Sequence, residues 1–315
     1  MSDYATFLKL GHEYQPIPEA ETVSRLPSGM YTVKHDPRTD QVAFAQSKTT
    51  HDELVDLPGT AYEQVMTDLE FFFTEDCITR FKSVGLLHKM NILLHGVPGG
   101  GKTCIVNRVS ARMIQEKGIV LFNPPPASLK EVFRVLDKLQ PETRVLVIFE
   151  ELDELIRNHG EGPFLHVLDG EVQKHNAMFI ATTNYLDKIP ARIRRPGRFP
   201  VRLEVGLPNM EARKLYVNLK LKNDAAATQI AEMTEGFNID QLKDVIRAHY
   251  CMRKPLEPTL KELRKEFGIH GGQATIKAAD DDADDDWQEC DDDDSEVPVS
   301  NHPVMVGLAK QVSDS

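Results

Sequence analysis

The 315-residue chain is 41% hydrophobic and 7% aromatic, the composition of a globular protein long enough to bury a sizeable core. It has no long uncharged apolar stretch, and its first ten residues lack a basic segment followed by an apolar run, so neither a membrane span nor a secretory signal is expected and the cytosol is the expected compartment. The formal charge of −12 belongs to residues 280–315, where thirteen acids, ten of them Asp between Asp280 and Asp294, face the single base Lys310; residues 1–279 are neutral and give no general electrostatic case for nucleic acid.

Residues 1–50 mix short apolar stretches with Pro16, Pro18, Pro27 and Gly29, and read as an extended N-terminal arm with one hairpin around residues 30–45. Over residues 63–81, Val65, Met66, Leu69, Phe72 and Phe73 recur at helical spacing, which predicts a helix ahead of a glycine-rich stretch. The apolar run Ile92, Leu93, Leu94 feeds that stretch, Gly96-Val97-Pro98-Gly99-Gly100-Gly101-Lys102-Thr103. Residues 104–116 read as a buried helix that Gly118 closes, and 119–122 as a second strand. Leu129, Val132, Phe133, Leu136 and Leu139 mark an amphipathic helix; strands follow at 145–149, 179–183 and 201–205.

Strands alternating with helices imply an α/β fold with a mainly parallel sheet covered on both faces. Beyond Pro208 the strand signals stop, and helical patterns cover 211–222, 225–234, 239–253 and 259–267. The expected divisions are an arm at 1–50, an α/β core at 51–207, a small all-helical lid at 208–270 and an acidic tail at 271–315, whose charge leaves too little apolar surface to offset ordering. Cys77, Cys104, Cys251 and Cys290 lie far apart with no C-x-x-C pair, so reduced thiols are expected rather than disulfides or a zinc site.

The strand and glycine loop together make a nucleoside triphosphate the first expectation, with ATP and Mg²⁺ as cofactors. Glycines without Cβ atoms let backbone N–H groups face phosphate oxygens. The following helix adds the positive end of its dipole, Lys102 can reach the β- and γ-phosphates, and the Thr103 hydroxyl can hold Mg²⁺; Gly96, Val97, Pro98, Gly99, Gly100, Gly101, Lys102, Thr103 and Cys104 are the expected nucleotide contacts. The strand at 145–149 runs into Glu150 and Glu151; it is expected to lie beside the strand feeding the loop, so that one carboxylate holds the metal's water shell and the next polarises the attacking water. Asn184, at the end of another strand, can donate to the γ-phosphate or fix the water, although Asn is also common at turns. Arg195 and Arg198, spaced by Pro196-Gly197, can present guanidinium groups as a fork to phosphate.

In this order the elements resemble the AAA ATPase family, the branch of the AAA+ proteins with the second region of homology. The resemblance covers roughly residues 54–253 and is carried by GVPGGGKT at 96–103, VLVIFEELDEL at 145–155, ATTN at 181–184 and RRPGRFP at 194–200. It implies that Lys102 and Thr103 bind ATP and Mg²⁺, that Glu150 holds the metal-associated position, that Glu151 activates water and that Asn184 is the first sensor. It also implies that Arg195 and Arg198 act as arginine fingers on ATP bound by a neighbouring subunit, hence a homo-oligomeric ring, usually a hexamer in this family. The segment Thr234-Glu235-Gly236-Phe237-Asn238 resembles the lid's Gly-Phe-Ser sequence, without an obvious second-sensor arginine. Asp56-Leu57-Pro58-Gly59 is either the adenine edge of the pocket, as the matching region is in the family, or a simple turn.

The chain departs from the family at several points. Glu150 stands where Asp is usual, which is expected to weaken Mg²⁺ positioning and slow hydrolysis. The family's pore-loop aromatic has no counterpart in Asn123-Pro124-Pro125-Pro126-Ala127-Ser128, and Phe133 falls on the apolar stripe of the next helix, so threading of a polypeptide is not favoured. Pro200 stands where an acidic residue often follows the second finger's Phe. His88 and His95 flank the first strand with no second ligand at metal spacing, which favours packing or surface roles. In the tail, Trp287 and the apolar run 304–308 offer anchors amid negative charge, so solubility and partner docking both remain open.

The leading expectation is an ATP hydrolase that remodels a macromolecular, most readily a protein, partner. The alternative is a nucleotide-gated assembly scaffold with little or no hydrolysis, and a loader acting on DNA is a third possibility that the neutral body disfavours.

Overall fold

The computed structural model describes residues 23–36, 38–39, 41–47, 60–170 and 174–267, with the backbone of short strands at 6–10, 13–17, 269–270 and 273–274. All belong to one unit, residues 1–276. Apart from the backbone of 273–274, the tail at 271–315 lies outside the described residues, as do Asp56 to Gly59.

In chain order the elements are β1 (Thr6–Leu10), β2 (Glu13–Ile17), β3 (Gly29–Asp36), β4 (Gln41–Gln46), α1 (Thr60–Phe72), α2 (Glu75–Ser83), β5 (Lys89–His95), α3 (Lys102–Gln115), β6 (Ile119–Phe122), α4 (Leu129–Leu139), β7 (Val145–Phe149), α5 (Leu152–His159), α6 (Glu161–Leu168), β8 (Ala177–Thr183) and β9 (Val201–Glu204). Four helices follow, α7 (Met210–Leu221), α8 (Asp224–Met233), α9 (Ile239–Ile246) and α10 (Leu256–Glu266), before a short β10 (Ile269–His270) and β11 (Gln273–Ala274). A seven-stranded sheet runs in the order β4-β3-β6-β7-β8-β5-β9. It is parallel apart from the β3–β4 hairpin.

Successive residues of a strand point to opposite faces, and here both faces are apolar because helices cover both. Val145, Val147 and Phe149 enter one core with Leu129, Phe133 and Phe164. Leu146 and Ile148 enter the other, with Val65, Leu69, Val106 and Val109 from α1 and α3. Phe133 is core, 1% exposed and edge-to-face with Phe179 at 6.2 Å. A third cluster, built from Tyr216, Val217, Ile230, Phe237, Leu242 and Leu260, holds the helices after β9 together.

Several expectations need correction. Residues 29–46 do not stand off as an arm: β3 pairs in parallel with β6, and Tyr31 and Val33 are buried in the first core. The single helix expected over 63–81 is two, because Thr74 caps α2 by accepting from Cys77 N–H at 3.2 Å, with Glu75 and Asp76 in the first turn. At the end of α3 the left-handed residue is Lys117, at φ 61°, while Gly118 donates to Met113 O at 2.9 Å, and a Cβ there would sit 2.4 Å from the Met113 sulfur. α5 and α6 were not anticipated, and α9 ends at Ile246 in a π-helical turn over Arg247–Cys251 rather than running to 253. The strand ending at Glu150 is not beside the strand feeding the glycine loop: β8 lies between β7 and β5.

His88 is 2% exposed, stacked on Phe72 at 3.9 Å and hydrogen-bonded to Phe72 O and Asn176 Oδ1, a packing role. No helix among the described residues is long and apolar enough to cross a membrane.

Candidate nucleotide-binding site

β5 delivers the chain into the loop 96–101, and α3 begins at Lys102 behind Gly101. Glycine is required by geometry at two points. Gly96 has φ 142° and a Cβ would lie 2.3 Å from Val205 O, while Gly99 has φ 69° and a Cβ would lie 2.5 Å from Asn238 Nδ2. The loop is held from both sides. Val205 N–H donates to His95 O at 2.7 Å, and at the other side Ile239 N–H donates to Gly99 O at 3.1 Å and Asn238 Nδ2 to Pro98 O at 3.2 Å. Asn238 also forms a capping box with Gln241 at the start of α9.

No side chain caps α3, so its first-turn amides, including that of Thr103, face an anion site together with the helix dipole. The Lys102 ammonium is folded onto the loop, donating to Gly96 O and Val97 O at 2.8 Å each. Burial pushes its pKa down to about 8, against the attraction of Asp153.

The end of β7 meets this loop directly. Thr103 hydrogen-bonds the Glu150 carboxylate, whose Oε1 is buried without a partner. Burial raises the Glu150 pKa, Thr103 opposes this, and Glu151 adds to it. The backbone at this point is fixed by the two flanking strands. Glu150 N–H donates to Asn123 Oδ1 at 2.8 Å from the end of β6, and Glu151 N–H to Thr182 Oγ1 at 3.2 Å from β8. Glu151 takes a left-handed conformation, φ 55° and ψ 56°, as it turns into α5, and its side chain is exposed. Its carboxyl is also raised, by burial first and then by Glu154 and Asp153. Two residues on, Asp153 Oδ1 accepts from Thr183 Oγ1 at 2.6 Å.

The structure therefore brings Lys102, Thr103, Glu150 and Asp153 together, with Glu151 at the rim and half-buried Asn184 just beyond the tip of β8. Arg195 and Arg198 are elsewhere in their interactions. Arg195 is exposed on the loop before β9, and the Arg198 guanidinium binds Asp169 and Arg192 O. The supporting parts of Asn123, Thr182, Thr183 and Asn238 are not legible in the sequence alone; the available signal is a polar residue directly after, or ending, an apolar strand for the first three, and an Asn three residues before Gln241, the pattern of a capping box, for Asn238.

The donor set suits a hard divalent cation: a hydroxyl, and a carboxylate one of whose oxygens is buried without a partner. Among the described residues no cluster of three or more His, Cys, Asp or Glu could hold a metal ion. Close by, a cavity of about 380 Å³ is lined by Ala61, Gln64, Arg202, Leu203, Glu204 and Gly206, the last of these packed against Gly100.

A strand, glycine loop and helix, with acids arriving from the next strand but one of a parallel sheet, define a P-loop nucleotide-binding protein. The sequence profile of the "ATPase family associated with various cellular activities (AAA)" matches residues 92–207, and over that stretch the chain is similar to the AAA family. It is 33% identical over 174 residues, half of this chain, to the "ATPase family gene 2 protein" of Schizosaccharomyces pombe, covering 22% of that protein. It is 28% identical over 180 residues, again 50% of the chain, to the "Cell division cycle protein 48 homolog" of Archaeoglobus fulgidus, covering 24% of it. It is 26% identical over 203 residues, 53% of the chain, to the "Vesicular-fusion protein SEC18" of Saccharomyces cerevisiae, covering 27% of it. The chain thus spans about a quarter of the length of these relatives.

Proposed function

We propose that this protein binds ATP with Mg²⁺ and hydrolyses it in a homo-oligomeric ring, a hexamer, to remodel a macromolecular partner. The observation that supports the reading is the contact of the Thr103 hydroxyl with the Glu150 carboxylate beside Lys102, which is what a site holding metal and phosphate together would need. The carbonyls of Gly96 and Val97, which now hold the Lys102 ammonium, stand in for phosphate oxygens, and the lysine turns from them to the β- and γ-phosphates. When bound, Mg²⁺ neutralises charge on the phosphate oxygens. Glu151 accepts the proton of the attacking water, Asn184 orients that water, and the loop amides stabilise the transferred group. The cavity lined by Gln64, Arg202 and Glu204 takes the base.

Arg195, exposed on its loop, acts on ATP of the adjoining copy. The helices at 208–270 serve as a lid, because α9 grips the loop through Asn238 and Ile239 and so senses its state. The family resemblance and the relatives' names support the ATPase reading, and the ring, its size and the partner rest on that resemblance.

Phosphate release measured against protein concentration, with native mass spectrometry in the presence and absence of ATP, tests this. Turnover should rise as oligomers form, Glu151→Gln should bind ATP without turnover, and a chain that binds no nucleotide ends the proposal. A second reading, a nucleotide-gated scaffold, is favoured by Glu150 in place of Asp and by the proline-rich 123–128 connection without an aromatic. Assembly on ATP with no phosphate release at any concentration decides for it.

A further inference from the structure

We propose that the outer edge of β4 pairs with the same strand of a second copy of this chain, antiparallel and centred on Phe44, so that two sheets join across a twofold axis. This contact is separate from the ring contact proposed above, because it uses no residue of the nucleotide site and needs no nucleotide.

The edge is open and unguarded. β4 ends the seven-stranded sheet, and among the described residues β3 is its one strand neighbour. Natural sheets guard such an edge with charged residues, proline or a bulge, since its free N–H and C=O groups invite another strand. Gln41-Val42-Ala43-Phe44-Ala45-Gln46 carries no charge and no proline, and its register with β3 runs without a break from Gln41 opposite Asp36 to Gln46 opposite Tyr31. The hairpin lies outside residues 92–207, so the family likeness assigns it no role.

The ladder fixes which backbone groups are free. Ser47 N–H donates to Met30 O at 2.8 Å, and antiparallel strands alternate hydrogen-bonded with non-hydrogen-bonded pairs. Gln41, Ala43 and Ala45 therefore bond β3, while Val42, Phe44 and Gln46 turn their N–H and C=O groups outward. Two such strands can pair only where outward residues meet one another. Centring on Phe44 sets Phe44 against Phe44 and Val42 against Gln46 on both sides, which engages all three in about six hydrogen bonds; centring one residue to either side makes about four.

The side chains agree with this register. Opposed residues share one face of a sheet, and Val42 and Phe44 are half-buried on the face that carries Tyr31 and Val33, with Phe44 edge-to-face on Tyr31 at 6.3 Å. The joined sheets thus keep their apolar faces on one side and set two phenylalanines beside each other at the axis, a favourable cross-strand pair. Charge selects the same centre. In the sequence Asp40 stands four residues before Phe44 and Lys48 four after it, so acid faces base at both ends, whereas centring on Ala43 sets Arg38 against Lys48.

The test uses the full chain without nucleotide, from about 1 to 200 µM, where so small a contact should assemble. Sedimentation equilibrium should show monomers passing to dimers. Residue-resolved amide exchange should slow at least tenfold with concentration at Val42, Phe44 and Gln46, and stay unchanged at Ala43 and Ala45, whose amides β3 already holds. Gln46→Pro removes an outward N–H and keeps the ladder with β3, so it should weaken dimerisation at least tenfold. Lys48→Asp should weaken it about fivefold at low salt, and adding Asp40→Lys should restore it. A monomer throughout, exchange that ignores concentration, a dimer that Gln46→Pro leaves intact, or tighter pairing in Lys48→Asp overturns the proposal. The exchange result needs no variant, so it decides even where a substitution unfolds the hairpin. No readout involves nucleotide, so failure here leaves the proposed function standing.

Discussion

The Asp169 carboxylate grips the Arg198 guanidinium in parallel, Nε to Oδ1 at 2.5 Å and Nη2 to Oδ2 at 2.6 Å, while Asn91 Nδ2 holds the Arg198 carbonyl at 2.5 Å. Arg198 thus braces the loop on which Arg195 is presented, anchoring it to the end of α6 and to β5.

The division between the two arginines predicts their phenotypes. Arg195→Ala should lose turnover at least tenfold with ATP affinity unchanged, since the arginine acts on a neighbour's nucleotide. Mixing Arg195→Ala with Glu151→Gln should restore activity to about a quarter of wild type, the share of interfaces that combine an intact glutamate with an intact arginine. Mixtures that stay inactive place both residues in one subunit's site. Asp169→Asn should cost less than about 1 kcal/mol of stability, because the pair is partly exposed.

Thr182 holds the amide of Glu151 in its left-handed turn. Thr182→Val keeps the shape and removes the acceptor, so kcat should fall while nucleotide affinity holds, and Thr182→Ser should rescue it. Steady-state kinetics with a nucleotide-binding control read this out. A parallel loss of binding would point to general damage at the sheet edge instead.

Asn238 joins the helices after β9 to the glycine loop. Asn238→Ala removes a capping box and the bond to Pro98 O, and should lower stability by about 1–2 kcal/mol in urea unfolding. ADP should also dissociate faster, because the loop loses one of its two hydrogen bonds to the start of α9. An unaltered dissociation rate would show that the loop keeps its shape without the Asn238 bond.

Lys89 gives a pH signature distinct from the site. Its ammonium lies under the end of α6, donating to Leu168 O at 3.4 Å and to Val167 O, 4.7 Å from the Phe179 ring. Burial pushes its pKa from 10.5 down to about 8, against the pull of Asp169. Between about pH 8 and 10.4 the unfolded chain holds the extra proton, so this lysine makes stability rise with pH across that window, by no more than about 3 kcal/mol. Lys89→Met should flatten the rise. The measurement is the urea midpoint of both proteins at pH 8, 9 and 10, and a constant difference between them removes the assignment.

The α/β class, most strands and the glycine loop were legible because apolar periodicity and glycine spacing are local properties. The break at Thr74 was also written locally, as a threonine followed by two acids that together make a helix cap. The placement of β3 was not legible: its parallel pairing with β6 joins residues 29–31 to 119–121, and nothing in either segment names the other. Nor was the interposition of β8 between β5 and β7, which depends on how the crossovers wind rather than on any strand's composition.

The residue chemistry was settled by the chain itself: a loop that bares its amides, a lysine and threonine behind it, and two acids ending an apolar strand. Only the folded arrangement decided that Glu150 touches Thr103, that Asn123 and Thr182 fix its backbone, that α9 closes on Gly99 and that Asp169 claims Arg198. Those contacts join segments far apart in the chain, and hydrogen-bond partners are chosen by distance and direction in space. A linear order records neither.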